Sequence, residues 1–252
     1  GTIGFAFILI GLVIYLVVTI KEVKLNQRQA NFVSSVTHEL KTPIAALKLH
    51  LETLELREMS SDNRTTFYSR MSQQIERLDS LINQLLEVQR LEDIAHQEAC
   101  IVDWSSLIET CTASACLKHN VEFDEVVSIK VDDNVKESQV RQVAVELMLI
   151  NLIDNAIKYS GESPQVEIDA RMTKGSRIGI SIADNGPGIP ISERAEVFKR
   201  FYRAGNELER KTQGTGLGLY ICQTLVKSLK GTIQVSDRAD ATGCVFEVEL
   251  PV

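Results

Sequence analysis

The sequence lacks a surplus of positive charge. Its 252 residues include 27 lysines and arginines against 34 aspartates and glutamates, a net charge of −7 with neutral histidines. Proteins that bind nucleic acid need basic residues to neutralise phosphates. This balance argues against a nucleic-acid partner, whereas a hydrophobic content of 44% is enough for a folded core.

Cysteine is scarce, and its spacing matches no zinc-binding pattern. An odd number of thiols without such a pattern is typical of reduced, mostly buried cysteines in a cytosolic domain. A redox-sensing pair formed by Cys111 and Cys116 is the alternative. The five cysteines are Cys100, Cys111, Cys116, Cys222 and Cys244.

Charge is absent from the first twenty residues. As an α-helix they would extend about 30 Å, the thickness of the hydrocarbon core of a bilayer. A buried core helix and a signal peptide are the alternatives, but a signal peptide has a basic start and a shorter apolar stretch. We therefore predict a transmembrane helix at residues 1–20. Lys21, Lys24 and Arg28 follow it, and the positive-inside rule then places residues 21–252 in the cytoplasm.

The chain starts without a methionine, and the apolar stretch begins at once. We therefore expect the chain to be the C-terminal portion of a longer protein. Only seventeen residues separate Ile20 from His38, so the apolar helix is expected to continue directly into the next one.

Residues 21–94 have the periodicity of two long amphipathic helices. Apolar residues recur every three or four positions from Phe32 to Leu54 and again from Phe67 to Leu86, with the polar stretch MSSDNR (59–64) between them. A hairpin of two helices is too thin to bury its apolar seam alone. We therefore expect an antiparallel helical hairpin that dimerises into a four-helix bundle.

After a polar linker at 95–99, short strand-like runs alternate with helical runs. This alternation predicts an α/β sandwich in residues 100–252 and a multidomain chain overall. The strand-like runs are VEFDEVVSIKV (121–131), PQVEIDARM (164–172), RIGISIADN (177–185), GTIQVSD (231–237) and CVFEVELPV (244–252). The helical runs are WSSLIETCTASACLKHN (104–120), SQVRQVAVELMLINLIDNAIKYS (138–160) and LGLYICQTLVKSLK (217–230).

The first chemical motif is NLIDNAIKYS (151–160), at the end of a predicted helix. Asn151 and Asn155 are four residues apart, so their carboxamides project from one face. Amide oxygens are hard, neutral ligands that suit Mg²⁺ bound to phosphates, and Lys158 is placed to offer an ammonium group to a phosphate. Two asparagines that only cap or solvate a helix are the alternative.

The second motif is DNGPGIP (184–190), directly after an apolar strand. Gly186 and Gly188 favour a tight turn that lets a ligand approach the backbone closely. Asp184 would point into the resulting crevice, where its carboxylate can accept a hydrogen bond from an exocyclic amine such as that of adenine. An ordinary turn is the alternative.

The third motif is GTGLGL (214–219), which leads into a helix predicted to start near Leu217. Glycines before a helix N-terminus expose backbone N–H groups that can bind a phosphate. The spacing is not that of a Walker A motif, because no Lys-Ser/Thr follows. The candidate contacts are Gly214, Thr215, Gly216, Leu217 and Gly218.

Between the second and third motifs lies VFKRFYRAGNELERKTQ (197–213). Phe198 and Phe201 are spaced as hydrophobic anchors, and several basic residues follow them, Arg203 among them. Residues 204–213 are polar and aperiodic, which favours a mobile lid over bound phosphates; a solvated surface loop is the alternative.

In this order and within one domain, the motifs resemble the ATP-binding domain of sensor histidine kinases, which share their superfamily (the GHKL, or Bergerat, fold) with gyrase. The resemblance implies an α/β sandwich that binds ATP and Mg²⁺. It implies that Asn151 and Asn155 lie at the metal, that Lys158 and Arg203 contact phosphates, and that Asp184 binds the adenine amine. Tyr159 would pack near the adenine.

The stretch SSVTHELKTP (34–43) adds a second resemblance. His38 is about 200° around a helix from the apolar seam, so it is expected to face solvent. Glu39 adjoins it, and Thr42 lies one turn further on the same face. A neutral imidazole is a competent nucleophile, and a neighbouring carboxylate makes its attacking nitrogen more basic. Pro43 cannot donate a hydrogen bond to the carbonyl of Glu39, which loosens the helix there.

This stretch resembles the phosphoacceptor box of the same kinases, of the HisKA type. The resemblance implies that His38 accepts the γ-phosphoryl group and Glu39 is the general base. It implies that Glu39 and Thr42 also support dephosphorylation of a response regulator. The expected protein is a homodimeric sensor kinase of a bacterial inner membrane that passes the phosphoryl group to an aspartate of a response regulator. A pseudokinase that binds ATP only as a structural ligand, and an enzyme that acts chiefly as a phosphatase, are the alternatives.

Overall fold

The computed structural model describes residues 2–56, 61–135, 137–204, 215–239 and 242–251. Within the helices, some side chains, that of His38 among them, fall outside this description. The chain divides into two compact units, Gly1–Leu78 and Asp79–Val252.

The first unit is built from two helices. Helix α1 spans Thr2–Leu56 and continues from the apolar stretch into the hairpin, as expected, with Pro43 inside it. Helix α2 spans Ser61–Ala95, so it starts four residues before the predicted Thr65 and continues into the second unit. Glu39 pairs with Arg77, and His50 packs edge-to-face on Phe67, a pattern of contacts that only antiparallel helices produce.

The seam of this hairpin is only partly covered. Ile44 and Leu51 of α1 remain 53% and 49% exposed, and Ile75 of α2 remains 57% exposed. Among the residues that the structure describes, no helix is long and apolar enough to cross a membrane. The transmembrane helix at residues 1–20 is therefore not confirmed and stays a prediction.

The second unit contains a five-stranded sheet and a layer of helices. The elements in chain order are β1 (Cys100–Val102), α3 (Trp104–His119), α4 (Phe123–Val126), β2 (Val127–Val131), β3 (Ser138–Val140), α5 (Gln142–Tyr159), β4 (Val166–Thr173), β5 (Arg177–Ala183), a 3-10 turn (Ile191–Glu193), α6 (Gly218–Ser228), β6 (Thr232–Asp237) and β7 (Cys244–Pro251). The strand order in the sheet is β2-β4-β5-β7-β6; β2 and β4 are parallel, and the other neighbours are antiparallel.

One face of the sheet is apolar and packs against the helices. Along β5 the alternate residues Ile178, Ile180 and Ile182 are buried, which is the period of a strand with one covered face. Helix α5 lies in the middle of the helical layer and contacts α3, α6 and the sheet. The predicted α/β sandwich is therefore present.

Two segments differ from the prediction. Residues 121–131 were expected to be a single strand, but α4 occupies 123–126 and only β2 is extended. Asp124 and Glu125 lie in the first turn of α4, where acidic side chains favour a helix. The predicted helical run from residue 138 begins with β3, which pairs antiparallel with β1 in a small sheet of its own.

Candidate active site

Two predicted motifs meet where α5 passes the start of α6. Asn151 donates from Nδ2 to the carbonyl oxygen of Leu147 at 2.8 Å, which leaves its Oδ1 free to face outward. A Cβ built on Gly218 would lie 2.9 Å from Asn151 Oδ1 and 3.7 Å from Asn155 Nδ2. The glycine therefore leaves room for both amides beside the N-terminus of α6.

The side chains beside Gly218 have the chemistry of ligands for a hard divalent cation. In the described part of the chain, no three His, Cys, Asp or Glu side chains cluster as a metal site. The amide oxygens of Asn151 and Asn155 are neutral, so a cation there would depend on phosphate oxygens to complete its ligands, which is how Mg²⁺ is commonly held. The residues present thus suit a Mg²⁺ ion that arrives with a nucleotide.

A second glycine brings the DNGPGIP turn against the end of α5. A Cβ on Gly186 would lie 2.7 Å from the carbonyl oxygen of Tyr159 and 2.9 Å from Asp184 Oδ1. Gly188 has a φ of +76°, which an L side chain rarely adopts. Gly186 is therefore required for the turn to approach α5 this closely, and Gly188 for the backbone conformation of the turn.

Asp184 is the first residue after β5 and is only 3% exposed. Its Oδ1 accepts hydrogen bonds from the backbone N–H groups of Gly186, at 2.8 Å, and Cys244, at 3.3 Å. Its Oδ2 accepts one from the thiol of Cys244 at 3.0 Å. The carboxylate is thus fixed in one orientation by its own turn and by the first residue of β7.

The rest of the turn is held from outside. Asn185 accepts a hydrogen bond from the backbone N–H of Gln165 at 2.9 Å and donates one to the carbonyl of Ser163 at 3.0 Å. Arg194 donates from Nε to the carbonyl of Ile189 at 3.1 Å. These bonds make the turn a rigid wall, which suits recognition of a planar ligand.

A third glycine joins the VFKRFYR segment to the start of α6. Gly216 has a φ of +72°, and a Cβ there would lie 2.7 Å from the carbonyl carbon of Phe201 and from the carbonyl oxygen of Tyr202. Phe201 donates its backbone N–H to the carbonyl of Gly216 at 2.9 Å. Phe198 is buried and packs edge-to-face on Phe246, so it is an anchor as predicted.

The start of α6 is ordered by one hydroxyl. Thr215 is buried, and its Oγ1 accepts a hydrogen bond from the backbone N–H of Leu217 at 3.3 Å. Leu217 is the N-cap residue of α6, close to the predicted start. Gly214 and residues 205–213 of the predicted lid lie outside the described residues, so the predictions made for them are untested.

Positive charge is concentrated beside the two asparagines. Burial lowers the pKa of Lys158 to about 8; nearby Asp154 opposes this effect, while Arg203 and Lys118 add to it. Arg203 therefore lies near enough to Lys158 to repel it electrostatically. Two cations that repel each other in a half-buried position favour an anion between them. The ammonium group of Lys158 lies 5.5 Å from the ring centroid of Tyr159.

Asp154 on α5 contacts the end of α3 and also interacts electrostatically with Lys158. His119 Nε2 and Lys118 Nζ both lie 2.8 Å from the same oxygen, Oδ1. Burial alone would raise the pKa of Asp154, but the hydrogen bonds and charges of these two partners outweigh it and lower the pKa to about 2. The residue is therefore ionised throughout the neutral range.

The structure thus brings Gly186 and Gly218, one from each of the two glycine motifs, against the predicted site residues of α5. Sequence reasoning missed two others, Gly243 and Cys244, which precede and begin β7. Gly243 has a φ of +123°, and a Cβ there would overlap the carbonyl oxygen of Asp184. The available signal was the glycine in TGCVF, directly before the last strand-like run.

The predicted phosphoacceptor residues lie on α1. Thr42 is exposed, and Glu39 is half-buried next to Arg77 of α2, with 3.4 Å between Glu39 Oε2 and Arg77 NH2. The side chain of His38 is not described, although its backbone is helical. A polar residue of α2 thus contacts the residue expected to act as the general base.

A cavity lies elsewhere in the second unit, near the linker that follows α2. It is lined by residues that include Gln97, Arg141, Ser228 and Pro251, and by none of the predicted site residues. Arg141 crosses it, donating to the carbonyls of Gln97 at 3.2 Å and Ser228 at 3.1 Å. Two of the five N–H groups of Arg141 are thus bound to backbone carbonyls, and Lys230 also lines the cavity.

Comparisons with known proteins match both parts of the chain. The family model of the His Kinase A (phospho-acceptor) domain matches residues 28–94. The model of the histidine kinase-, DNA gyrase B-, and HSP90-like ATPases matches residues 140–252. The sensor-like histidine kinase SenX3 of Mycobacterium tuberculosis is 30% identical over 233 residues, which cover 90% of this chain and 55% of SenX3. The chain thus spans about half the length of that relative.

Solved structures share the fold. The histidine kinase AdeS of Acinetobacter baumannii matches 85% of this chain and 97% of its own, with a TM-score of 0.62 and 23% identity. The histidine kinase ThkA, solved in complex with the response regulator protein TrrA, matches 88% of this chain and 61% of its own, with a TM-score of 0.66 and 20% identity. The family itself rests on the two family-model matches in one chain and on the similarity to SenX3 over both: the protein belongs to the sensor histidine kinases of two-component systems.

Proposed function

We propose that this chain binds Mg-ATP, transfers the γ-phosphoryl group to His38 and passes it to an aspartate of a response regulator. The observation that carries the proposal is that Gly186 and Gly218 bring the second and third motifs against the first motif on α5, within a chain that also has a matching phosphoacceptor helix.

In this proposal Asp184 accepts the exocyclic amine of adenine, and Tyr159 packs near the ring. Lys158, Arg203 and the N-terminus of α6 bind the phosphates, with Thr215 and the glycines keeping that N-terminus open. Asn151 and Asn155 hold Mg²⁺, which supplies charge neutralisation on the phosphates. The positive charges of Lys158 and Arg203, and the hydrogen-bonded turn that begins at Asp184, support these roles.

Phosphoryl transfer needs positioning and charge neutralisation more than covalent help from the protein. The neutral imidazole of His38 attacks the γ-phosphorus, ADP leaves, and Glu39 accepts the imidazole proton. The Arg77 guanidinium beside Glu39 would restrict the orientation of that carboxylate, which supports a defined rather than a freely rotating base.

The partners belong to the same proposal. A response regulator is the acceptor of the phosphoryl group, in line with the complex solved for ThkA. Exposed apolar residues on both helices of the hairpin, such as Ile44 and Ile75, support a homodimeric four-helix bundle. Thr42, with Glu39, would support dephosphorylation of the regulator by orienting a water molecule.

We also propose that residues 1–20 anchor the chain in a bacterial inner membrane, with residues 21–252 in the cytoplasm. The support is the sequence alone: twenty uncharged residues followed by Lys21, Lys24 and Arg28. Detergent-free fractionation of cells that express the chain with and without residues 1–20 tests this location.

The central experiment is incubation with ATP labelled at the γ-position. The parent chain should gain an acid-labile, base-stable label, and His38→Gln should abolish it. His50→Gln is the matched control, because His50 is on the same helix but packs on Phe67. Label that persists in His38→Gln would show that the phosphoacceptor is misassigned.

The same assay separates the rival functions. A pseudokinase would bind ATP and gain no label, so unlabelled parent chain with intact ATP binding would support that alternative. Thr42→Ala should retain most of the label but slow dephosphorylation of a phosphorylated regulator by about tenfold, the scale for losing one positioning hydrogen bond. Equal loss of label in Thr42→Ala and His38→Gln would refute separate roles.

A further inference from the structure

Cys244 and Asp184 are joined by three hydrogen bonds. The backbone N–H of Asp184 donates to the carbonyl of Cys244 at 3.0 Å, and the backbone N–H of Cys244 donates to Asp184 Oδ1 at 3.3 Å. The thiol lies 3.0 Å from Asp184 Oδ2. Both residues are almost fully buried, at 3% and 5% exposure, so none of the three bonds competes with bulk water.

The thiol is the donor in this contact. Burial raises the pKa of Cys244 far above its usual range, and the neighbouring Asp184 carboxylate raises it further. The sulfur therefore stays protonated and donates its proton to Asp184 Oδ2. A protonated buried thiol of this kind is also chemically inert, which excludes a role as a nucleophile or a redox sensor.

The two oxygens of Asp184 are not equivalent. Oδ1 accepts hydrogen bonds from two backbone N–H groups. In the described part of the chain, the one hydrogen bond to Oδ2 comes from the thiol of Cys244. A carboxylate oxygen can accept two hydrogen bonds, so Oδ2 keeps a lone pair for an external donor. The thiol occupies one acceptor position of Oδ2 and holds the carboxylate from that side, so an external donor is left the other position.

We propose that Cys244 is a positioning residue for adenine recognition: its thiol orients Asp184 Oδ2 toward the exocyclic amine of the base. This inference rests on the proposed function, since it assigns a partner to the residue that would bind adenine. It extends the nucleotide site onto β7, which carries none of the sequence-predicted contacts.

The competing interpretation is that Cys244 only fills space as a small buried side chain. Two substitutions of similar size separate the interpretations. Cys244→Ser keeps a donor, whereas Cys244→Ala removes it. Cys111→Ala is the matched control, since Cys111 is also buried but its thiol faces the carbonyl of Glu146, on the far part of α5.

The experiment measures the affinity of the chain for Mg-ATP and for purine riboside 5′-triphosphate, which lacks the exocyclic amine. Cys244→Ala should weaken ATP binding by about fivefold, the scale of one net hydrogen bond, and leave the analogue within twofold of the parent. Cys244→Ser should restore the parental preference for ATP, and Cys111→Ala should not alter it.

The other outcomes of this experiment would overturn either the inference about Cys244 or the proposed function. Equal weakening of both nucleotides in Cys244→Ala, or the same loss in Cys244→Ser, would show that the thiol acts through packing and would overturn the inference. Parental affinities in Cys244→Ala would overturn it as well. A parent chain that binds neither nucleotide would instead refute the proposed function, so the two failures are distinguishable.

Discussion

The fold makes Lys158 easier to deprotonate than an ordinary lysine. Burial lowers its pKa to about 8, although Asp154 partly opposes this. The nearby positive charge of Arg203 lowers it further. A bound anion favours the protonated lysine, so at a pH near or above 8 nucleotide binding is linked to proton uptake.

The first prediction follows from that link. Between pH 7.5 and 9 Lys158 loses its proton in the free protein, whereas it stays protonated when a phosphate is bound beside it. ATP affinity should therefore fall by about tenfold as pH rises over this range. Lys158→Arg is the control, because a guanidinium stays charged over the whole range and should flatten the profile. Isothermal calorimetry at several pH values measures both, and a flat parental profile would place Lys158 away from the phosphates.

Site residues differ in how far the sequence could reveal them. Asn151 and Asn155 are set by a helical spacing of four, and Asp184 by its place after an apolar strand, so local patterns were sufficient to predict their positions. Cys244 could not be found in this way. It reaches Asp184 only because β7 pairs with β5. The two residues are 60 positions apart in the sequence, and no local pattern specifies such a contact.

At the scale of elements, glycines decide which segments touch. Gly243 lies in the turn before β7 against the carbonyl of Asp184, with a φ of +123°. Gly175, between β4 and β5, has a φ of +78° but no atom within 4 Å of a built Cβ. The two positions therefore separate the cost of backbone strain from the cost of steric overlap.

The second prediction compares their alanine variants. Gly175→Ala should lower the free energy of unfolding by about 1 kcal/mol through strain alone. Gly243→Ala should cost more than about 3 kcal/mol, because its Cβ overlaps backbone that cannot rotate away. Urea unfolding followed by the fluorescence of Trp104, the only tryptophan and fully buried on α3, measures both. A similar loss in the free energy of unfolding for the two variants would mean that the turn before β7 moves to accommodate the added Cβ.

The long elements were predictable and the short ones were not. Helices α3, α5 and α6 and strands β4 to β7 have enough residues for their periodicity to be visible. Strands β1 and β3 have three residues each, and they exist because Cys100 and Val140 meet across the fold. Helix α4 is a single turn within a run of β-favouring residues, so its local preference was masked by its neighbours.

At the scale of the whole second unit, one ionised carboxylate ties two helices together. Asp154 on α5 accepts from both Lys118 and His119 at the end of α3, and its side chain is only 17% exposed. Helices α3 and α5 both pack on the sheet, so this contact helps to fix the helical layer on which Asn151, Asn155 and Lys158 depend.

The last prediction is an acid-labile contribution to stability. The pKa of Asp154 is about 2 in the folded protein against 3.8 for an unperturbed side chain. Because the folded state has the lower pKa, the contribution is complete above about pH 4 and disappears as pH falls toward 2. A difference of that size is worth about 2 kcal/mol.

Asp154→Asn removes this titration while keeping a similar shape. Urea unfolding of parent and variant, followed by Trp104 fluorescence from pH 6 to pH 3, should give a gap in the free energy of unfolding that narrows steadily with acid. Other carboxylates contribute to both proteins equally, so the difference isolates Asp154. A gap that is the same at pH 6 and pH 3 would mean that Asp154 stabilises the helices by shape and hydrogen bonding, and that its charge is irrelevant to the fold.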